Sequence, residues 1–213
     1  MKYLIISDVH GNLPALESVL KKEKNIDGYV NLGDVVNYGP WSNECVERIN
    51  DLKNCINIMG NHEEYFNSGV CNVKNPLVQA FFYKNYPEYT MKKITDKYEQ
   101  SVDFMGFTLI HNLLEKGYVF ADTDLKLTKN TILGHSHQQY LRKINQKILF
   151  NPGSVGQNRK SIDISNYAIW DIKTGEFFMK NIKNNIGLLI NEMKHRNFPK
   201  ICINYYKNKI NAI

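Results

Sequence analysis

The feature that most constrains this chain is the placement of its histidines: five of the six lie in short loops that each follow a predicted β-strand. Carboxylates and one asparagine share these loops, and all three side-chain types are ligands that divalent metal ions accept. Scattered core or surface histidines would show no such preference. The loops, in chain order, are Asp8-Val9-His10, Gly33-Asp34, Gly60-Asn61-His62-Glu63, His111 and Gly134-His135-Ser136-His137.

The spacing within the loops suits metal binding. Side chains two residues apart in an extended segment leave the same face, so Asp8 and His10 can bind one ion, and His135 and His137 repeat the arrangement. A glycine before three of the loops allows the backbone to turn tightly. Asp34 is the candidate to bridge two ions, because its carboxylate has two oxygens and such ions lie about 3.5–4 Å apart.

Short apolar runs alternate with helical periodicity in the first half, a pattern that predicts an α/β domain. With 213 residues, 43% of them hydrophobic, the chain can bury one core and is short for two. Each predicted strand ends at a polar loop, and ligands of open α/β sheets collect beyond the carboxyl ends of the strands. The predicted elements are strands at 3–7, 29–32 and 55–59 and helices starting at Asn12 and spanning 42–51.

The remaining chain predicts more helices and a run of short strands. Residues 64–97 have helical periodicity interrupted by Pro76 and Pro87, and we interpret the aromatic residues there as core or interface. A final amphipathic helix is predicted over 185–196, ended before Pro199. The later predicted strands are 98–104, 107–111, 131–133, 139–143, 148–150, 167–171 and 176–180.

The net charge of +6 belongs to the C-terminal part of the chain. From Lys180 onward there are seven basic residues and one acidic residue, whereas residues 1–179 carry 20 of each sign. A basic segment can contact a nucleic-acid backbone, but a solvated helix face with a mobile terminus is the simpler interpretation.

The cysteines and the apolar runs indicate the cellular compartment of the protein. The four cysteines are scattered without a Cys-x-x-Cys pair, which favours reduced structural thiols. The first apolar run meets Asp8 before a signal-peptide core could develop, and no stretch approaches the roughly 20 apolar residues that span a bilayer. We therefore expect a cytoplasmic protein with no membrane partner.

The loops resemble the motif blocks of the calcineurin-like metallophosphoesterases: Asp-x-His, Gly-Asp, Gly-Asn-His and Gly-His-x-His, with a lone histidine between the last two. The resemblance covers essentially the whole chain and is strongest to the small bacterial and archaeal phosphodiesterase-like members, through segments 7–12, 33–40 and 151–157. It implies an α/β metallophosphoesterase sandwich of four-layer α+β type, with two stacked mixed β-sheets flanked by helices. It also implies one domain over 1–213 with a basic C-terminal helical segment, 181–213.

By this resemblance the chain is a metal-dependent phosphoester hydrolase with a binuclear centre and a metal-bound hydroxide as nucleophile. His62 would be the catalytic side chain, protonating the leaving oxygen or stabilising charge on the phosphoryl group. The implied cofactors are two divalent ions per chain, manganese, iron, zinc or nickel, with manganese favoured. The implied ligands are Asp8, His10 and His137 for the first ion, Asn61, His111 and His135 for the second, and Asp34 for both.

Two positions depart from the family's protein phosphatases and dinucleoside tetraphosphatases. Those enzymes carry an arginine before the Gly-Asn-His block and an Asp-Arg pair after the Gly-Asp block, where this chain has Met59 and Asn37-Tyr38. Without these arginines a phosphomonoester dianion loses its bidentate contacts, so a phosphodiester fits the site better. Asn37 and Arg159 are the candidate substrate-binding residues.

Several alternatives stay open. The chain could instead be a phosphomonoesterase, a serine/threonine or dinucleoside polyphosphate phosphatase, or a non-catalytic scaffold that retains the fold. The basic terminus and the aromatic segment leave a nucleic-acid phosphoesterase as a further hypothesis. A homo-oligomer is also open, with the aromatic segment 76–91 as the expected face.

Overall fold

The computed structural model describes residues 1–113 and 117–210, so the last three residues of the basic segment 181–213 lie outside the described part. The strands are β1 (Lys2–Ile6), β2 (Gly28–Asn31), β3 (Cys55–Asn57), β4 (Ser101–Phe104), β5 (Phe107–Ile110), β6 (Asn130–Leu133), β7 (Gln139–Ile144), β8 (Lys147–Pro152), β9 (Ile164–Asp171) and β10 (Glu176–Lys183). The α-helices are α1 (Leu13–Lys22), α2 (Ser42–Asn50), α3 (Asn61–Ser68), α4 (Pro76–Asn85), α5 (Lys92–Thr95), α6 (Ile186–His195) and α7 (Lys200–Lys207). In this part of the chain no helix is long and apolar enough to cross a membrane.

The strands form two five-stranded sheets. The first has the order β10-β9-β1-β2-β3, with β1, β2 and β3 parallel and β9 and β10 antiparallel to their neighbours. The second has the order β4-β5-β6-β8-β7, with β5, β6 and β8 parallel and the two edge strands antiparallel. Each sheet is therefore mixed, and the carboxyl ends of its three parallel strands lie on the same side of the sheet.

Apolar side chains from both sheets meet in one buried cluster that holds the sheets face to face. Ile5 and Val30 of the first sheet and Leu109 and Ile132 of the second are fully buried there. Helices α1 and α2 cover the outer face of the first sheet, and the segment 119–127 covers that of the second. The two stacked mixed sheets with flanking helices confirm the predicted fold class.

Most predicted elements occur within a few residues of their expected bounds. Asn12 caps α1 as predicted, because its Oδ1 accepts a hydrogen bond from Ala15 N at 3.3 Å. The C-terminal part differs from the expected mobile terminus. Pro199 is the N-cap of a further helix, α7, in which Cys202 and Tyr206 are fully buried. Proline suits a helix start, where its missing N–H has no intrahelical partner to lose.

Helices α4, α6 and α7 pack together in a separate apolar cluster. Phe81 of the aromatic segment is fully buried in this cluster, and the neighbouring Phe82 is buried against the core beside α1 and α2. Tyr83, in contrast, is 64% exposed. The interpretation of Phe81 and Phe82 as core residues is thus confirmed, and the basic segment contributes apolar side chains to the fold.

Candidate metal centre

The predicted polar loops meet at one edge of the sandwich, where central strands of both sheets end. They surround a cavity of about 580 Å³. The side chains that follow β1, β2, β3, β5 and β6 are, in that order, Asp8 and His10, Asp34, Asn61 and His62, His111, and His135 and His137. All of them line the cavity except Asp8, which lies fully buried behind its wall.

The first ligand group comprises Asp8, His10 and His137, and all three side chains are buried. Asp8 Oδ1 lies 3.1 Å from His137 Nε2, and the Nε2 atoms of His10 and His137 are 3.3 Å apart. Atoms that bind one ion at about 2.1 Å lie roughly 3–3.5 Å from each other. The spacing of this group therefore fits one shared cation.

The second ligand group comprises Asn61, His111 and His135. His111 Nε2 lies 3.3 Å from Asn61 Oδ1 and 3.2 Å from His135 Nδ1. His111 is buried, whereas Asn61 and His135 are half-buried. Because the spacing is the same as in the first group, this group also fits one cation.

Asp34 lies between the two groups. Its Oδ2 is 3.2 Å from His111 Nε2 in the second group and 3.9 Å from His10 Nε2 in the first. Its Oδ1 accepts a hydrogen bond from His62 N at 2.9 Å, which fixes the carboxylate. One carboxylate in this position can serve two ions.

Backbone carbonyls fix three of the imidazoles. The Nδ1 atoms of His10, His111 and His137 lie 3.2, 2.7 and 2.6 Å from the carbonyl oxygens of Val36, Leu32 and Gln157, respectively. Because a carbonyl can only accept, each Nδ1 carries the hydrogen, and each Nε2 faces the centre as the nitrogen that can bind a metal when the ring is neutral. Such outer hydrogen bonds commonly set the tautomer of metal-binding histidines.

The segment after β8 supports the same loops. Asn151 Nδ2 donates to Gly134 O at 2.7 Å and to Ser136 Oγ at 3.1 Å. Ser154 Oγ donates to Asp8 O at 2.8 Å. These buried contacts hold the loops that carry the first ligand group against each other.

The chemistry of the donor set favours a cation. Asp8 Oδ1 is buried and accepts no hydrogen bond, an arrangement that is costly for a carboxylate oxygen without a cation. Burial lowers the pKa of His111, but the charge and hydrogen bond of Asp34 outweigh it and raise that pKa to about 10. This raised pKa favours a proton on His111 Nε2 beside Asp34, and a metal ion bound there would take the place of that proton. Burial and repulsion by His111 lower the pKa of His135 to about 4, which favours its neutral, ligating form.

Six candidate site residues adopt the left-handed backbone conformation that non-glycine residues rarely occupy. Their φ angles lie between 48° and 72°. Strain of this kind costs of order 1 kcal/mol per residue and persists only where surrounding contacts enforce it. The six are Asp8, His10, Asp34, Asn37, His135 and His137.

Glu63 makes some of the contacts that enforce these backbone conformations, a role that was not predicted from the sequence. Its buried carboxylate accepts hydrogen bonds from the N–H groups of Asp34 (2.7 Å), Val35 (2.7 Å), Val36 (3.2 Å) and Gly60 (2.8 Å). A Cβ on Gly60 would collide with Asp34 Oδ1, so the two loops touch. The sequence feature that could have indicated this role is the position of Glu63, three residues after the N-cap of α3, which is the spacing of a capping box.

His62 lies close enough to His10 and Asp34 for the three to hold an ion, but its hydrogen bonds differ from those of the two candidate ligand groups. Its Nε2 is 4.0 Å from Asp34 Oδ2, and its Nδ1 lies 3.0 Å from Asn37 Nδ2. Asn85 Nδ2 donates to Phe81 O at 3.0 Å and to Asn37 Oδ1 at 3.4 Å, which orients the Asn37 amide. The amide therefore donates to His62 Nδ1, and His62 Nε2 carries its hydrogen toward the cavity. Burial lowers the pKa of His62 and favours this neutral form.

The two candidate substrate-binding residues lie in different places. Asn37 is fully buried, contacts His62 and is not among the residues that line the cavity, and its contact with substrate stays a prediction. Arg159 is exposed and lines the cavity. Met59 and Tyr38 line it as well. Among the described residues that line the cavity, Arg159 is the one arginine or lysine.

Comparisons with known proteins agree with this geometry. Residues 1–175 match the model of the calcineurin-like phosphoesterase superfamily domain. Uncharacterized protein MJ0912 of Methanocaldococcus jannaschii is 30% identical across 79% of this chain and 82% of its own. Phosphodiesterase YfcE of Escherichia coli is 28% identical across 73% and 79%. The crystal structure of a metallophosphoesterase from Sphaerobacter thermophilus superposes with a TM-score of 0.78 at 23% identity, covering 99% of both chains. The chain therefore belongs to the calcineurin-like phosphoesterase superfamily and is a phosphoester hydrolase.

Proposed function

We propose that this enzyme hydrolyses phosphodiesters at a binuclear centre whose two divalent ions are held by the first and second ligand groups and share Asp34. The observation that carries the proposal is the position of Asp34 Oδ2, 3.2 Å from His111 Nε2 and 3.9 Å from His10 Nε2. When bound, the ions would supply positive charge to the phosphoryl oxygens and activate water for in-line attack. Manganese is the favoured ion among manganese, iron, zinc and nickel.

In this proposal His62 acts on the substrate and does not bind metal. Its Nδ1 is occupied by Asn37, and its Nε2–H faces the cavity beside Asp34. A neutral imidazole held in this way can donate to a phosphoryl oxygen or pass its proton to the leaving oxygen. The hydrogen bond from Asn85 to Asn37 supports this role, because it orients Asn37 so that the donor nitrogen of His62, Nε2, is on the cavity side.

The preference for diesters is supported by the cavity wall. Met59 and Tyr38 occupy positions where the family's phosphatases carry arginines, and both line the cavity. A phosphomonoester dianion would meet no guanidinium at either position, whereas a diester has one negative charge less to neutralise.

The proposal is tested by comparing 4-nitrophenyl phosphate with bis(4-nitrophenyl) phosphate across the four metals. We expect faster turnover of the diester. Asn61→Ala should lower the bound metal from two ions to about one per chain, measured by elemental analysis. His62→Ala should lower kcat roughly 100-fold or more while two ions stay bound.

Other outcomes would contradict particular parts of the proposal. Loss of an ion in His62→Ala would make His62 a ligand. Faster turnover of the monoester would reverse the substrate preference. Absence of hydrolysis with every metal would favour the scaffold alternative.

A further inference from the structure

The cavity has a positively charged corner that none of the candidate metal ligands forms. We call it the basic corner, and its four residues are Tyr118, Arg159, Tyr205 and Lys209. Tyr118 and Arg159 line the cavity directly. Tyr205 packs behind cavity-lining Tyr38, with ring centroids 6.1 Å apart, and Lys209 is bonded to Tyr205.

Arg159 is held in place by an aromatic ring and not by an acid. Its guanidinium carbon lies 4.3 Å from the centroid of the Tyr118 ring, within the range of a cation–π contact. The same Tyr118 ring stacks on His135 of the second ligand group, with centroids 4.6 Å apart and planes at 19°. No carboxylate of the described residues forms an ion pair with Arg159, so stacking orients the guanidinium beside the metal centre.

Lys209 places a second cation near the first. Its Nζ donates to Tyr205 Oη at 3.1 Å and lies 4.4 Å from the centroid of the same ring. It has no carboxylate partner within the described chain either. Its backbone lies beside the segment that carries Arg159, because Ile162 N donates to Lys209 O at 3.3 Å. Burial and the charge of Arg159 lower the pKa of Lys209. Two like charges held together without an acid are a common arrangement for binding an anion.

A different part of the cavity has the opposite character. Glu64 lines it, and its Oε1 accepts a hydrogen bond from Gln100 at 3.3 Å. Met59, Val73 and Val78 add apolar surface to the lining. An anionic group of the substrate is therefore repelled near Glu64 and attracted to the basic corner.

We propose that the basic corner binds a second phosphate of the substrate, so that the natural substrate is a phosphoester with a further phosphate on one of its arms. A terminal phosphate dianion matches the two positive charges, and a guanidinium can bind it through two parallel hydrogen bonds. The proposal rests on the proposed function, which places the scissile phosphate at the metal centre.

Half of this corner lies beyond the part of the chain that the superfamily model matches. Arg159 and Tyr118 are within residues 1–175, whereas Tyr205 and Lys209 follow them on and after α7. The C-terminal segment on and after α7 would thus carry a specificity element. Recognition of the second phosphate would be a property of this chain and of relatives that share α7.

A matched pair of chromogenic diesters tests the proposal: thymidine 5′-(4-nitrophenyl phosphate) with and without a 3′-phosphate. For the unmodified enzyme we expect the 3′-phosphate to lower KM roughly 10-fold, the effect of one charge-assisted contact. Arg159→Ala and Lys209→Ala should each remove most of this advantage. Lys207→Ala is the control, because it removes the same charge from an exposed position on α7 and should keep the advantage.

A binding measurement separates this proposal from the proposed function. Calorimetry with thymidine 3′,5′-bisphosphate and thymidine 5′-monophosphate should show the same preference and the same response to Arg159→Ala and Lys209→Ala. If the esters are hydrolysed with equal KM and both nucleotides bind equally, the basic corner has no role while the proposed function stands. If no ester is hydrolysed but the bisphosphate binds more tightly through Arg159 and Lys209, the basic corner stands and the proposed function is wrong.

Discussion

The first ligand group is more buried and is held by more hydrogen bonds than the second, although both groups face the cavity. His10 and His137 in the first group each donate their Nδ1 hydrogen to a backbone carbonyl, and Asp8 accepts from Ser7 Oγ at 2.6 Å. In the second group only His111 has such a carbonyl partner, and His135 is held by stacking on exposed Tyr118. The difference indicates that the proposed first ion is bound in a more buried and more preorganised site than the second.

Removal of Asp34, the side chain common to both groups, should have the largest effect. Asp34→Ala removes the carboxylate between His10 and His111, so we expect both ions to bind weakly and kcat/KM to fall at least roughly 1000-fold. Elemental analysis and steady-state kinetics measure this, with exposed Asp96→Ala as the matched control. Two tightly bound ions in Asp34→Ala would show that the groups are independent.

Single histidine variants should distinguish the two groups. His135→Ala should lose one ion, whereas His137→Ala should lose the more tightly bound one and leave its buried partner Asp8 without a cation. In each variant we expect the affinity of the affected site for its ion to fall roughly 100-fold. The fall should be larger in His137→Ala than in His135→Ala. Stepwise chelation followed by elemental analysis compares them, and exposed His195→Ala is the control. Equal ease of removal for both ions in the unmodified enzyme would contradict the comparison.

The stacking contact of the second group should give the smallest effect. Tyr118→Phe keeps a ring on His135 and Arg159 and should change affinity for the second ion less than about 2-fold. Tyr118→Ala removes it and should weaken that ion roughly 5-fold, since such stacking contributes about 0.5–1.5 kcal/mol. A competition assay with a fluorescent chelator measures both. If Tyr118→Ala leaves the affinity for the second ion unchanged, stacking on Tyr118 does not hold His135 in place.

Much of this site was predictable because the candidate metal ligands occur in short sequence motifs. The loops of Asp8, Asp34 and Asn61 follow strands whose apolar runs are plain in the sequence, and parallel strands bring their carboxyl ends together. His111, which had no flanking glycine to support it, lies next to Asn61 and His135, and its role as a ligand stays a prediction. The same order of strands and loops predicted an α/β domain, and the resemblance to the family implied the two stacked mixed sheets.

What escaped prediction depends on contacts between distant parts of the chain. Nothing local indicates that Asn85 orients Asn37, since the two are 48 residues apart. The left-handed backbone of His10 or His135 is likewise imposed by the packed loops and runs against residue preference. Pro199 was interpreted only as a helix stop, although proline is equally suited to begin a helix, here α7.

The first ligand group also spans the two halves of the sandwich. His10 follows a strand of the first sheet and His137 a strand of the second, 127 positions later in the chain, yet their Nε2 atoms are 3.3 Å apart. An unfolded chain does not bring these atoms together, so an ion that binds them binds the native state selectively. At a free concentration 100 times its dissociation constant, such an ion would stabilise the native state by about 2.7 kcal/mol. The supply of metal in the cell would then govern how much folded enzyme persists, as well as how fast that enzyme works.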